Sequence, residues 1–464
     1  MNHECSFLTD LGLRDDQVSF ERASRDQHAT DWATERISDG VSPDAVVWPE
    51  STDDVSRILA AATDHGVPVT PYAAGTGLEG HAVPVEGGIS MNLTRMDAVL
   101  EYRPADFQID VQAGVLGAAV DEHVGRDGLF FPPLPSSGEI STVGGMIATD
   151  ASGMQTVKYG EVADWVLGLE AVLADGTVIR TGSRATKTSS GYNLTDLLVG
   201  SEGTLAVVTE ATLELAGRPE QVRGGRAIFD SISDATEAIA DAIGAGVDVA
   251  KIELLCDLSA RMSNTYLETD LPDAPMVFLE FHANHGIDEE IALCEALFES
   301  HGVRAFEIGA DRAAMDDLWT VRKELAYAIL TYEEALEPVH HGDVTVPISA
   351  YPEIVGFAKA LAAEFDVYVP CYGHAGDGNL HYTVLVDHDD PAALERAENI
   401  YDRVVRRAID LGGTATGEHG IGEGKRRYMV PEHGAGAVGA MAAIKRALDP
   451  TGTLNPGKVL PDDG

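Results

Sequence analysis

The hexapeptide Gly75-Thr76-Gly77-Leu78-Glu79-Gly80 has the G-x-G-x-x-G spacing of a dinucleotide-binding turn, and the residues after it decide which fold is open to the chain. In a doubly wound nucleotide-binding fold that turn opens a helix whose N-terminus holds a pyrophosphate. Here the chain continues His81-Ala82-Val83-Pro84-Val85-Glu86-Gly87-Gly88-Ile89-Ser90-Met91-Asn92-Leu93. Pro84 and the Gly87-Gly88 pair break a helix, so a loop followed by a strand is expected. A Rossmann-type NAD protein is set aside on that ground. The glycines can still turn backbone N–H groups toward a phosphate as a nest.

Two further loops share this chemistry. Ser136-Ser137-Gly138, continuing through Thr142-Val143-Gly144-Gly145-Met146 to Ser152-Gly153, exposes backbone and short hydroxyls. Gly200-Ser201-Glu202-Gly203-Thr204 precedes a strand-like run over 206–215. Taken singly each is an ordinary turn signal. Three such loops in one region point to a large phosphate-bearing cofactor. Around them, 44–48 reads as a strand, 52–65 as an amphipathic helix and 67–73 as a second strand, a β-α-β unit. Residues 8–38 are polar and read as helical. Near Leu215 the run Ala216-Gly217-Arg218-Pro219 breaks the pattern, and beyond it helix (233–243) alternates with strand (276–282). A domain boundary is expected there.

The second informative stretch is Cys371-Tyr372-Gly373-His374-Ala375-Gly376-Asp377-Gly378-Asn379-Leu380-His381, echoed by Gly417-Glu418-His419-Gly420. Two imidazoles and a carboxylate suit one divalent metal such as Zn, Mn or Fe. Three protein ligands leave positions open for a substrate. His419, beside the candidate ligand Glu418, is then spared to act as a base.

Against 32 Lys and Arg stand 76 Asp and Glu, a net charge of −44, with the acids scattered rather than gathered in a tail. Such a surface repels nucleic acid and anionic membranes, and it is a device that keeps halophilic proteins dissolved. With 44% hydrophobic residues, the 464-residue chain reads as a multidomain cytoplasmic enzyme of a halophile. Cys5, Cys256, Cys294 and Cys371 form no C-x-x-C pair, so neither a disulfide framework nor an iron–sulfur cluster is expected. No segment approaches 18 consecutive apolar residues, which argues against an integral membrane protein. The beginning, Met1-Asn2-His3-Glu4-Cys5, reads as untargeted.

Pro71 through Gly80, Lys187-Thr188-Ser189-Ser190-Gly191-Tyr192-Asn193-Leu194, Gly200-Ser201-Glu202-Gly203-Thr204-Leu205, Gly373 through His381, Thr416 through Gly422 and Leu454-Asn455-Pro456-Gly457-Lys458 together resemble one family. It is the FAD-linked D-2-hydroxyacid dehydrogenases of the vanillyl-alcohol-oxidase type, matched in order from about residue 40 to 461. Within it, Gly342 through Ser349 and Gly420 through Arg426 resemble the branch acting on D-lactate. The resemblance implies an α+β fold. A helical N-terminal segment (1–41) would precede a two-lobed PCMH-type FAD-binding domain (42–217). A ferredoxin-like substrate domain (218–415) would cap the flavin, and a C-terminal segment (416–464) would return to the FAD domain. It implies FAD contacts at Gly75, Thr76, Gly77, Ser141, Gly144, Gly145, Ser152, Gly153, Glu202 and Val208. The metal ligands implied are His374, His381 and Glu418, with His419 as base and Arg322 gripping the substrate carboxylate in a bidentate fork.

The implied reaction is oxidation of a short D-2-hydroxy acid, D-lactate to pyruvate, with electrons passed to a separate quinone, cytochrome or electron-transfer flavoprotein. Relatives acting on D-2-hydroxyglutarate use a Lys where this chain has His340-His341-Gly342-Asp343, which favours a short acid. The nearest competitor is the flavin subunit of a glycolate or D-2-hydroxyglutarate dehydrogenase. From another class comes an alkylglycerone-phosphate synthase-like transferase, for which Lys425-Arg426-Arg427 is the candidate phosphate site. His81 lies near the place where some flavoproteins attach FAD covalently, but reads here as a loop side chain. His282 and His285, at the end of an expected strand, read as structural, with a place bordering the substrate as the alternative. A homodimer is left open.

Overall fold

The computed structural model describes residues 3–32, 40–309, 312–387 and 389–461. They form two units, one of 1–152, 161–218 and 418–464, the other of 153–160 and 219–417.

The first unit carries, among the described residues, a two-stranded pairing of Leu129–Phe130 with Ala216–Gly217 and two larger sheets. In one, Ile89–Asn92 lies between Ala45–Val47 and Val69–Tyr72, parallel to both, and Val18–Ser19 closes the edge antiparallel to Ala45–Val47. The helix Thr52–His65 links two of these strands. Ser51 caps it by accepting from the Asp54 amide (3.2 Å), and Gly66 ends it in the left-handed region. Its buried residues Val55, Ile58, Leu59 and Ala62 recur at helical spacing and pack on Val47, Val69, Ile89 and Met91. The other sheet is antiparallel, in the order Val99–Arg103, Gln108–Gln112, Val207–Glu214, Val166–Val172, Val178–Gly182. Between strand Val69–Tyr72 and strand Ile89–Asn92 the chain runs through the 75–80 glycines with no helix. The C-terminal segment joins this unit along the same strand: Val69 donates to Thr453 O (2.7 Å) and Asn455 donates to Val69 O (2.8 Å).

The second unit is built on one antiparallel sheet of seven strands, in the order Ala305–Gly309, Gln221–Ile228, Met276–Ala283, Lys251–Leu255, Cys371–His374, Asn379–Val386, Glu337–Thr345. Helices Ile232–Gly244, Tyr351–Phe365 and Pro391–Asp410 contribute buried apolar faces. The observed class is the α+β arrangement implied by the resemblance.

Two expectations are corrected. Residues 8–32, the described part of the expected helical segment 8–38, are not one helix. The chain forms 3-10 turns at Ser6–Asp10 and Asp15–Gln17, the two-residue strand Val18–Ser19 and a five-residue helix, Arg22–Asp26; 33–39 lie outside the described residues. Pairing with strand Ala45–Val47 and the hydrogen bond of Gln17 Nε2 to Trp48 O (3.2 Å) override local helix preference. Residues 153–160, included in 42–217, belong to the second unit. There Tyr159 Oη bonds His282 Nδ1 (2.9 Å) and Lys158 pairs with Asp248.

Among the described residues no helix is long and apolar enough to cross a membrane. The −44 net charge makes self-repulsion a standing cost of compactness. The thermal midpoint followed by circular dichroism is therefore expected to rise from about 0.1 to about 1 M KCl, as the screening length falls from about 10 to about 3 Å. A midpoint that ignores salt would contradict this.

Candidate active site

Sheet register builds the second unit's part of the site. Across neighbouring strands Glu253 stands opposite His374, Tyr372 opposite His381, and Asp343 opposite His381. Residues directly opposite share a face, and Tyr372 and His374 share one because they are two apart. Glu253, His374, His381 and Asp343 therefore line one face of four adjacent strands. The turn between the two histidine strands is the 3-10 segment Ala375–Asp377 followed by Gly378 at φ 81°, where a Cβ would lie 2.1 Å from Val346 O. It brings the imidazoles to an edge-to-face contact, centroids 5.1 Å apart.

Both carboxylates on this face are wholly buried, and each is answered. Glu253 Oε1 meets His374 Nδ1 at 2.7 Å and Oε2 accepts from Arg322 Nε at 2.7 Å. Burial alone would push the Glu253 carboxyl up, but the His374 ring and the Arg322 guanidinium hold it below the usual carboxylate range. An ionised carboxylate cannot donate, so Nδ1 of His374 is the donor of this pair, and in the neutral imidazole Nε2 is the nitrogen that keeps a lone pair. This is the arrangement a metal-binding histidine needs. Asp343 accepts from Asn379 Nδ2 (2.7 Å), Thr416 Oγ1 (2.8 Å) and the Gly417 amide (2.7 Å), and lies 3.6 Å from His381 Nδ1. Arg322 lies on helix Arg312–Leu330 with its guanidinium over the Tyr372 ring (5.1 Å).

Gly417, held by Asp343, is the last residue of this unit, and Glu418 begins the return to the first. There Ser152 Oγ donates to Glu418 Oε2 (3.3 Å), and His419 Nε2 lies 3.9 Å from Glu418 Oε1. The surroundings are strongly acidic. Burial, then the charges of Asp150 and Asp164, push Glu161 up to about 7, with Glu418 adding to the effect. Glu202 accepts from the Ile421 and Gly422 amides (2.7 and 2.8 Å) and so fixes the segment that follows His419.

The remaining sequence-derived cofactor residues divide by what they do. Thr76 Oγ1 and Ser141 Oγ meet at 3.2 Å and tie two of the loops together. Gly77 has no room for a Cβ beside His81 Nδ1 (2.8 Å), nor Gly75 beside Tyr72 Oη (2.5 Å). The Gly144 amide bonds Ala113 O and the Gly145 amide bonds Thr142 Oγ1, so this loop offers close approach and hydroxyls rather than those two donors. Gly153 lies in the second unit, its amide bonded to Thr156 Oγ1 (2.9 Å), and Val208 is a buried strand residue.

The first unit also holds buried polar atoms with no hydrogen bond: both ring nitrogens of His81, Asn455 Oδ1 and Lys458 Nζ. Burial lowers the Lys458 ammonium to about 8 against the pull of Glu423, Asp31 and Glu202. Unsatisfied buried groups beside Cβ-free loops fit a polar cofactor such as FAD. Sequence reasoning missed Glu253, His81, Asn455 and Lys458 as site residues. For Glu253 the available signal was an acid inside the apolar strand Lys251–Leu255. His282 is bonded to Tyr159 and to Glu280 (2.8 Å). Cys371 is a buried core residue.

Residues 218–459 match the family model for FAD linked oxidases, C-terminal domain, and 43–182 match that for an FAD binding domain. The chain is 37% identical over 450 residues to the probable mitochondrial D-lactate dehydrogenase of Danio rerio, covering 96% of this chain and 89% of that one. It is 36% identical over 426 residues to the glycolate oxidase subunit GlcD of Bacillus subtilis, covering 91% and 90%. Among solved structures, an alkyldihydroxyacetonephosphate synthase superposes with a TM-score of 0.77 at 17% identity, covering 98% of this chain and 86% of that one, a likeness of fold alone.

At Gly420, φ is 77° and a Cβ would lie 2.7 Å from His81 Nε2 and 2.8 Å from Glu202 Oε1. Gly420→Ala is expected to cost roughly 1–3 kcal/mol. Denaturant unfolding with the cofactor present checks this, and an unchanged midpoint would count against the geometry.

Proposed function

Because the chain belongs to the FAD-linked oxidases, we propose that it oxidises a short D-2-hydroxy acid, D-lactate to pyruvate, with FAD and a divalent metal. Electrons would leave to a separate quinone, cytochrome or electron-transfer flavoprotein. Composition supports a salt-rich cytoplasm as its setting.

The observation that carries the reading is the pair His374 and His381 on one buried sheet face, with His374 Nδ1 committed to Glu253. His374, His381 and Glu418 would hold the metal, a donor set of imidazoles and carboxylate that suits Zn, Mn or Fe. Such a metal, when bound, supplies a Lewis acid that lowers the pKa of a substrate hydroxyl. FAD, when bound, supplies the acceptor for the hydride that leaves the substrate's C2.

The chain's own residues do the rest. Arg322 is aligned by Glu253 through Nε, leaving its Nη edge to grip the substrate carboxylate. His419 takes the hydroxyl proton. Glu202, through the Ile421 and Gly422 amides, and Asp343, through Gly417, hold the two ends of the segment that carries His419.

A short acid is favoured because the segment His340-His341-Gly342-Asp343 lacks the Lys that relatives acting on longer acids carry there, and His340 within it is engaged by Glu398 (2.5 Å) and stacked on Tyr401 (4.4 Å). The transferase reading loses support. Lys425 is fully buried against Glu79 (3.2 Å), and Arg426 donates to Leu460 O (2.6 Å).

Dye-coupled oxidation of D-lactate, L-lactate, glycolate and D-2-hydroxyglutarate in high salt tests the reading. D-lactate should show the highest kcat/KM. Another acid in first place would reassign the substrate, and no turnover of any acid with metal and FAD replete would sink the dehydrogenase reading. His419→Asn should lower kcat by about 10²- to 10⁴-fold, the usual worth of a positioned base, with bound flavin retained. A near-normal kcat would remove His419 from that role.

A further inference from the structure

We propose that Glu253 is a positioning residue that sets a metal ligand and the substrate-carboxylate anchor from one buried carboxylate, His374 through Oε1 and Arg322 through Oε2. The inference rests on reading His374 as a ligand and Arg322 as the anchor.

Three observations carry it. Glu253 has no exposed surface, so neither oxygen can take a partner from water, and each has one protein partner at 2.7 Å. The pairing with His374 is built into the register, since the two residues stand opposite across adjacent strands. Arg322 arrives from a separate helix and is braced on its other side by the Tyr372 ring, itself opposite His381. A displacement of Glu253 would therefore move the imidazole and the guanidinium together. A carboxylate serving only as an ion-pair partner for Arg322 would have no need of His374.

Glutamine at this position keeps the shape but can accept at only one of its two ends, so one of the two contacts is lost or reversed. The test uses FAD-loaded protein: wild type, Glu253→Gln, and Glu253→Gln combined with Arg322→Met, which removes the buried cation left unanswered by the single change. Manganese affinity is measured by calorimetry, and KM and kcat for D-lactate at saturating manganese.

Glu253→Gln should weaken manganese binding about 10- to 100-fold, the range seen when a carboxylate behind a metal-binding histidine is removed, and should raise KM. The double variant should recover thermal stability while manganese binding stays weak. Retention of wild-type manganese affinity by both variants, with only a lower melting temperature, would make Glu253 a structural ion pair and overturn the proposal. If wild-type protein binds no manganese, zinc or iron, the metal reading itself fails and the proposal falls with it. If wild type binds metal normally and the variants do too, only the role of Glu253 fails.

Discussion

An ionised carboxylate taken out of water costs several kcal/mol unless charges or donors around it replace the solvent. The seven-stranded sheet buries two carboxyl groups on one face, Glu253 and Asp343, with the two histidine strands between them. Much of the second unit's geometry follows from answering them. Arg322 must come in from its helix and His374 must present Nδ1 to satisfy Glu253. Asn379, Thr416 and the Gly417 amide must converge to satisfy Asp343. The face becomes polar, with the His374 imidazole oriented by its bond to Glu253.

The first unit uses the same device on backbone. Glu202 spends its two oxygens on the Ile421 and Gly422 amides, so the residues after His419 are held by a carboxylate, as the residue before Glu418 is held by Asp343. The short run carrying Glu418 and His419 is thus anchored at both ends by buried acids. On the proposed reading, anchoring of that kind would serve a base, His419, and a ligand, Glu418, that are adjacent in sequence but act on different partners. It also gives the flanking glycines a physical reason, since at Gly420 a Cβ would strike both His81 and Glu202.

Much of this was legible in the sequence where the signal is local. The helix Thr52–His65 is written in its cap, its apolar spacing and Gly66, and the loop after Gly80 in Pro84 and the paired glycines. The histidine motif stood out through residue type, and its two imidazoles do meet on one sheet face. What could not be read depends on pairing over long separations. Glu253 and His374 are 121 residues apart, and an acid in a five-residue strand reads equally well as a solvent-facing position. Arg322 was read as the anchor of the substrate carboxylate, and its bond to Glu253, 69 residues away on strand Lys251–Leu255, carried no local signal. Residues 153–160 carry no composition shift to mark that they cross into the second unit. The polar N-terminal stretch has helix-compatible residues, but the edge of a sheet offered Val18 a better partner.

We propose that His374, His381 and Glu418 hold a metal without which the substrate cannot reduce the flavin. The most direct test is anaerobic mixing of D-lactate with FAD-loaded protein stripped of metal by chelator, with flavin absorbance followed in time, before and after manganese or zinc is restored. The account predicts no bleaching in the stripped protein and rapid bleaching once metal returns. Equal rates of bleaching in both samples would contradict it.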